Sequence, residues 1–190
     1  MGEKVQIPTN AFLYPMPVVL VSAVVDAKPN YMAVAWISRV NHQPPLIAVA
    51  LGKRQYTARG IQVHGEFGVS VPNRDQVAAT DYVGLVSGAT VDKSKIFESF
   101  FGTLAHAPMA RACPLTMACR LVQAVNLPSN FLFIGEIAEA YAEERILTSG
   151  MPDIEKLQPI GLTMPDNRYW SIGELLGSAW SIGKTYQSVQ

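Results

Sequence analysis

The chain has 190 residues, 49% of them hydrophobic and 16% charged, which suits a folded domain with its own core and argues against disorder. Fifteen Lys and Arg balance fifteen Asp and Glu, so no field of one sign draws nucleic acid or an anionic membrane surface. Any anionic ligand therefore needs a local site.

Thirteen prolines and fourteen glycines imply many turns and a β-rich fold. No apolar run approaches the roughly 20 residues of a membrane span. The N-terminal stretch MGEKVQIPTNAFLYP lacks an apolar core after Lys4, so a cytoplasmic protein with no membrane role is expected.

Val18–Val25 (VVLVSAVV) is a β-branched run opened by Pro15 and Pro17 and closed by the turn cluster DAKPN at 26–30. Tyr31–Ser38 follows as its hairpin partner. Leu46–Leu51 (LIAVAL) is a third strand, apolar on both faces and so expected inside a sheet or barrel. Pro44 and Pro45 cannot donate to a ladder and mark the corner before it.

Gln55–Val63 reads as a helix with Thr57 as N-cap and Gly65 as its stop. Phe67–Val71 alternates as a strand, Arg74–Tyr82 is a second helix, and Gly84–Lys95 is a polar, glycine-punctuated surface loop. Ile96–Phe101 is a turn of helix or a lid. Leu115–Val125 and Phe131–Ala140 are longer strands joined through NLPSN at 126–130. Glu143–Gln158 is a charged excursion with a short helix at Ile154–Leu157, before short strands at Ile160–Met164 and Arg168–Ile172. The expected fold is mostly β with short helices: about six strands in a closed or nearly closed antiparallel barrel, because closure removes aggregation-prone edges.

No GxSxG, Walker or GxGxxG loop is present. Cys113 and Cys119, six apart on or beside one predicted strand, would share a face and read as small buried hydrophobes rather than reactive thiols. His42, His64 and His106 lie in separate segments without HxH or HxxxH spacing, so no metal site is expected.

Tyr31–Ile61 carries the most chemistry. Ala33 and Ala35 flank Trp36, so a flat ligand can approach the backbone closely. Lys53, Arg54, Tyr56, Thr57 and Arg59 follow a buried strand at a helix start, where orphan N–H groups and the helix dipole favour an anion. A planar, phosphate-bearing cofactor satisfies both ends. Trp36 either packs in the core or flanks such a ring. Asp92 and Lys93, taken alone, read as an ordinary exposed pair.

The ordered segments YPMPVVLVSA, PNYMAVAW, NHQPP, KRQYT, DYVGLVSGATVDKSKIF and RYWSIGELLG, between about Ala11 and Lys184, together resemble the flavoredoxin-like branch of the flavin reductase family. The resemblance implies a Greek-key-like, antiparallel, FMN-binding split β-barrel, one domain over 1–190. It also implies a homodimer with flavin near the interface, and NADH, NADPH or a redox-protein partner in electron exchange. By position, Asn30 and Trp36 would line the ring and its side chain, with Ala35, Ile37, Ser38 and Leu51 beside them. Thr57, with Lys53, Arg54 and Tyr56, would take the phosphate. Lys93 would be the loop lysine near the flavin, and Asn130 would complete the site. Relatives often place His where this chain has Asn130, and Cys where it has Val83; Asn130 can hydrogen-bond but cannot titrate near neutrality.

The functional expectation is an NAD(P)H:flavin reductase-like oxidoreductase with no catalytic acid–base residue of its own, because the flavin carries the chemistry. A positive charge at Lys93 would favour reduced flavin. The alternatives are a flavoredoxin-type electron carrier with tightly bound FMN, and a non-enzymatic flavin-binding module.

Overall fold

The structure is a computed structural model and describes residues 2–186. Its main strands are β1 (Val19–Val25), β2 (Lys28–Val34), β3 (Ile37–Asn41), β4 (Leu46–Gly52), β5 (Glu66–Val71), β6 (Leu115–Asn126) and β7 (Asn130–Ala142). They form one antiparallel sheet in the order β2-β1-β5-β6-β7-β4-β3. Helices α1 (Tyr56–His64) and α2 (Val77–Leu85) follow β4 and β5.

The two edges of this sheet, β2 and β3, are consecutive in the chain, with only Ala35 and Trp36 between them. Three Cα steps of 3.8 Å bring Val34 and Ile37 within about 11 Å, so the sheet must curl almost onto itself. The edges do not pair across the gap. The result is a barrel with a split, and Trp36 spans it.

This split also explains a departure from the expected strand over Tyr31–Ser38. The chain changes partners at Ala35–Trp36: β2 pairs with β1, whereas β3 pairs with β4. One continuous strand cannot serve both. The DAKPN turn contracts in the same way. Asp26 and Ala27 alone turn the chain, at φ 47° and 61°, and Lys28 already pairs with Val25. Positive φ at both central residues matches the twist of a tight hairpin.

Alternation sorts the side chains of the barrel. Val19, Val21 and Ala23 of β1 meet Ile47, Val49 and Leu51 of β4, with Phe67, Val69, Cys119 and Phe133 filling the interior. Ala58 and Ile61 of α1 close that core. A Cβ on Gly60 would stand 2.4 Å from the Val24 carbonyl oxygen, so glycine lets α1 lie directly on β1. On the other face, Leu20 and Tyr31 pack with Val83, Phe97, Ala110 and Cys113.

Cys113 and Cys119 therefore occupy different clusters. The shared face expected of them fails because β6 begins at Leu115, and Cys113 sits in the turn before it. The second expected helix is also modified: Asn73 and Gln76 form a capping box over a 3₁₀ turn, Arg74–Gln76, and α2 follows. Helix α3 (Ile154–Leu157) lies where the sequence places it, capped by Asp153. Strands β8 (Ile160–Thr163) and β9 (Arg168–Ser171) join Met16–Pro17 in a separate three-stranded sheet. Among the described residues, no helix is long and apolar enough to cross a membrane.

Candidate functional site

A cavity of about 730 Å³ opens at the split. One wall is the sheet: Ala35, Trp36, Ile37 and Ser38 from the crossing, Ala48 and Ala50 from β4, and Leu132 from β7. Strand alternation produces this wall, because Ile47, Val49 and Leu51 turn into the core and leave the two alanines facing out. The opposite wall is an N-terminal arm, Asn10–Leu13 with Pro15–Pro17. Trp36 is 50% exposed, so it is not a core tryptophan. Among the described residues that line the cavity, none carries an ionisable side chain. Its size falls within the usual range for small-molecule sites.

The predicted residues Ala35, Trp36, Ile37 and Ser38 thus come together here. Leu51 does not line the cavity; it lies buried behind it in the barrel core. Two features of the cavity were missed in the sequence. Ala48 and Ala50 were readable from the period of LIAVAL, which puts both on one face. The arm carried no signal beyond its prolines, since its position depends on pairing between Met16–Pro17 and β8.

Beyond β4, Lys53 and Arg54 are exposed at the turn into α1, whose first turn holds no acidic residue. The Lys53 ammonium lies 5.6 Å from the Phe131 ring centroid, and its backbone N–H donates to the Ser129 carbonyl at 3.1 Å. Asn130 pairs with Gly52 and accepts a 2.7 Å bond from the Ser129 hydroxyl, so the 126–130 connection does border this turn. Arg59 is drawn away from it, with its guanidinium 5.1 Å from the Tyr56 ring centroid and 3.8 Å from Asp26.

Thr57 is not the N-cap. That position belongs to Gln55, which makes no side-chain cap, and Thr57 is a buried residue of the first turn. Its hydroxyl accepts a 2.7 Å hydrogen bond from the Asn30 side-chain amide. The chain enters the helix two residues earlier than a Thr57 cap requires. Tyr56 donates its phenol to Asp26 at 2.5 Å, and that bond pushes the phenol's pKa up.

Asn30, Tyr56 and Lys93 line a second cavity of about 250 Å³ that shares no lining residue with the first. Lys93 is only 4% exposed, and its ammonium donates to the carbonyls of Val83 at 2.7 Å and Tyr31 at 3.0 Å. Burial pushes its pKa down. The exposed-pair reading of Asp92 and Lys93 is therefore corrected. Asp92 bonds Ser94 and the Lys28 ammonium, which hold its carboxyl at about 2, while Lys93 turns inward to tie β2 to α2.

The thiols of Cys113 and Cys119 are buried, and burial pushes both up to about 12. Such thiols are packing groups rather than nucleophiles. His64 and His106 stack at 4.0 Å between centroids, with Glu66 accepting from the His106 backbone N–H at 2.8 Å. Among the described residues no group of three or more His, Cys, Asp or Glu could hold a metal ion.

The model of the flavin reductase-like domain matches residues 11–157. Among solved structures, the chain is similar to flavoredoxin from Methanosarcina acetivorans. That pair is 49% identical over 96% of this chain and 98% of the other, with a TM-score of 0.95. It is also similar to the flavoredoxin of Desulfovibrio vulgaris (Miyazaki F), at 35% identity over 96% of this chain and all of the other (100%), with a TM-score of 0.87. An uncharacterized protein of Archaeoglobus fulgidus is 32% identical over 148 residues, covering 75% of this chain and 81% of that protein.

Proposed function

The chain belongs to the flavin reductase-like family, and from that premise we propose that it is an FMN-binding flavoprotein oxidoreductase. The observation that carries this reading is the pairing of an uncharged cavity at the split with an acid-free, cation-flanked helix start at the far end of β4. The two ends match a planar ring and an anionic tail.

The residues present fit the cofactor. Ala35, Ala48 and Ala50 leave room for a ring against the sheet, and Trp36 and Ser38 border it. The backbone N–H groups of Tyr56 and Thr57, in the first turn of α1, lack helical acceptors and suit a phosphate. Lys53 and Arg54 add positive charge in solvent. Asn30 and Lys93 act from beneath: one fixes the first turn of α1 through Thr57, and the other fixes α2 against β2. FMN, when bound, supplies the one- or two-electron chemistry that no side chain here can.

Two roles remain distinct within this reading: oxidising NADH or NADPH, and carrying electrons received from a partner redox protein. The similarity to two flavoredoxins and the lack of an ionisable side chain in the cavity lining favour the carrier. The protein would act as a homodimer. The test is an absorbance spectrum of purified protein, then anaerobic addition of NADH or NADPH. Bound FMN that neither nucleotide bleaches supports the carrier; rapid bleaching supports the reductase. Failure to bind added FMN would overturn both.

A further inference from the structure

Resting on the flavin reading above, we infer that the cavity at the split admits an uncharged, planar, conjugated carbonyl compound of the quinone class as the flavin's electron acceptor. Phe12, Leu13 and Pro15 of the N-terminal arm form its seat.

The cavity has two walls of different make. The sheet wall offers small side chains, whereas the arm wall offers Phe12, Leu13 and Pro15. The arm is not a loose end. The Tyr14 hydroxyl donates to the Met164 carbonyl, and Met16 and Pro17 pair with Leu162 and Gly161. Leu13 is 89% exposed even so, which leaves an apolar side chain at the mouth of a cavity without a seat of its own. An apolar mouth held in place is a binding surface for an apolar ligand.

Charge narrows the ligand further. The cations nearest in sequence to the lining residues stand outside the cavity: Arg39 donates to the carbonyls of Asn41 at 2.7 Å and His42 at 3.1 Å, and Lys53 and Arg54 flank the helix start assigned to the flavin phosphate. A dinucleotide would bring two phosphates to a cavity whose lining offers no counter-charge, and a charge that loses hydration against apolar walls without a partner is costly. An uncharged ligand incurs no such penalty. A neutral molecule that also accepts two electrons from a flavin needs a low-lying conjugated carbonyl system, and flat rings suit walls bearing Phe12 and Trp36. The quinone takes two electrons and two protons from reduced FMN, becomes the hydroquinone, and leaves FMN oxidised. Dithionite supplies the reducing equivalents in the experiment.

The test begins with binding, not turnover. Trp170→Phe with Trp180→Phe leaves Trp36 as the sole tryptophan of the three. The oxidised, FMN-loaded protein is titrated with menadione and with naphthoquinone sulfonate, reading Trp36 fluorescence and the flavin absorption band. Menadione should quench Trp36 saturably and shift the band, with the sulfonate binding about tenfold more weakly or worse. Leu13→Lys, at an exposed position that leaves the core untouched, should strengthen the sulfonate and weaken menadione. Equal binding of both quinones, or no change on Leu13→Lys, overturns the inference. FMN that fails to bind overturns the flavin reading itself; bound FMN with no menadione response overturns this inference alone. Anaerobic reoxidation of the dithionite-reduced protein by menadione, faster than by the sulfonate, completes the assignment.

Discussion

The side-chain amide of Asn30 donates to the Thr57 hydroxyl at 2.7 Å, with both groups buried, and so ties the first hairpin to the first turn of α1. A Cβ on Gly88 would stand 2.0 Å from the side-chain amide oxygen (Oδ1) of Asn30, so the loop after α2 closes over the same point. Three segments distant in sequence meet at one asparagine, next to the helix start proposed to hold the phosphate.

Replacing Asn30 by Ala leaves the Thr57 hydroxyl without its partner in a buried setting. The expected loss is about 1–3 kcal/mol of stability, the cost of an orphaned buried polar group. Thr57→Val should cost less, because the asparagine amide can seek another acceptor. The double variant should lose less than the sum of the singles, a coupling read from urea unfolding midpoints. Strict additivity would show that the bond does not join the two elements.

Trp36 separates binding from folding. At half exposure it contributes little to the core, so Trp36→Ala should leave the unfolding free energy, read from urea titration, within about 0.5 kcal/mol of the parent. FMN affinity, followed by flavin fluorescence, should fall at least about tenfold if the indole borders the ring. A variant that unfolds early yet binds FMN normally would reverse both assignments.

Lys93 makes the opposite prediction. Its ammonium satisfies the carbonyls of Val83 and Tyr31 from a buried position, so Lys93→Met strands two acceptors. Loss of about 1–3 kcal/mol is expected, with α2 loosening first under hydrogen exchange. Measured FMN affinity in a still-folded variant should change less than in Trp36→Ala. A stable variant with much weaker FMN binding would make Lys93 a direct ligand instead.

The legible parts of this fold were those that local chemistry decides. The apolar run LIAVAL, the β-branched run before Asp26, the glycine stop after α1 and helix α3 all appear where the sequence places them. The illegible parts depend on partners far along the chain. Nothing in Tyr31–Ser38 signals a change of pairing from β1 to β4. No local rule buries Lys93, whose acceptors lie ten and sixty-two residues away. The cavity at the split was half visible: Trp36 and its alanine neighbours stood out, but the arm that completes the cavity is placed by β8, over a hundred residues later.

The two buried thiols give the protein a pH signature. An exposed thiol ionises near 9.0, whereas Cys113 and Cys119 are pushed up to about 12 by burial. Between those values the unfolded chain releases protons that the folded chain retains, so unfolding is favoured as pH rises. Stability is complete below about 9 and is lost progressively toward 12, by up to about 1.4 kcal/mol per pH unit for each thiol. Urea midpoints measured at intervals above pH 8 should fall more steeply for the parent than for Cys113→Ala with Cys119→Ala. Parallel slopes would mean that the thiols ionise alike in both states.

The C-terminal segment supplies the test of assembly. Leu175, Leu176 and Trp180 are 79%, 85% and 95% exposed, beyond the last strand and beyond the residues that match the domain model. An isolated arm carrying three large apolar side chains in water is unfavourable unless a second surface covers it. The proposed homodimer provides that surface. Each leucine buried by a partner would contribute roughly 1.5–3 kcal/mol, and two-fold symmetry counts each contact twice. Leu175→Asp with Leu176→Asp should therefore weaken the dimer by several orders of magnitude and yield monomer in sedimentation velocity runs. The barrel of that monomer should keep its near-parental circular dichroism, because neither leucine reaches the core. A variant that sediments as the parent does would remove the arm from the interface.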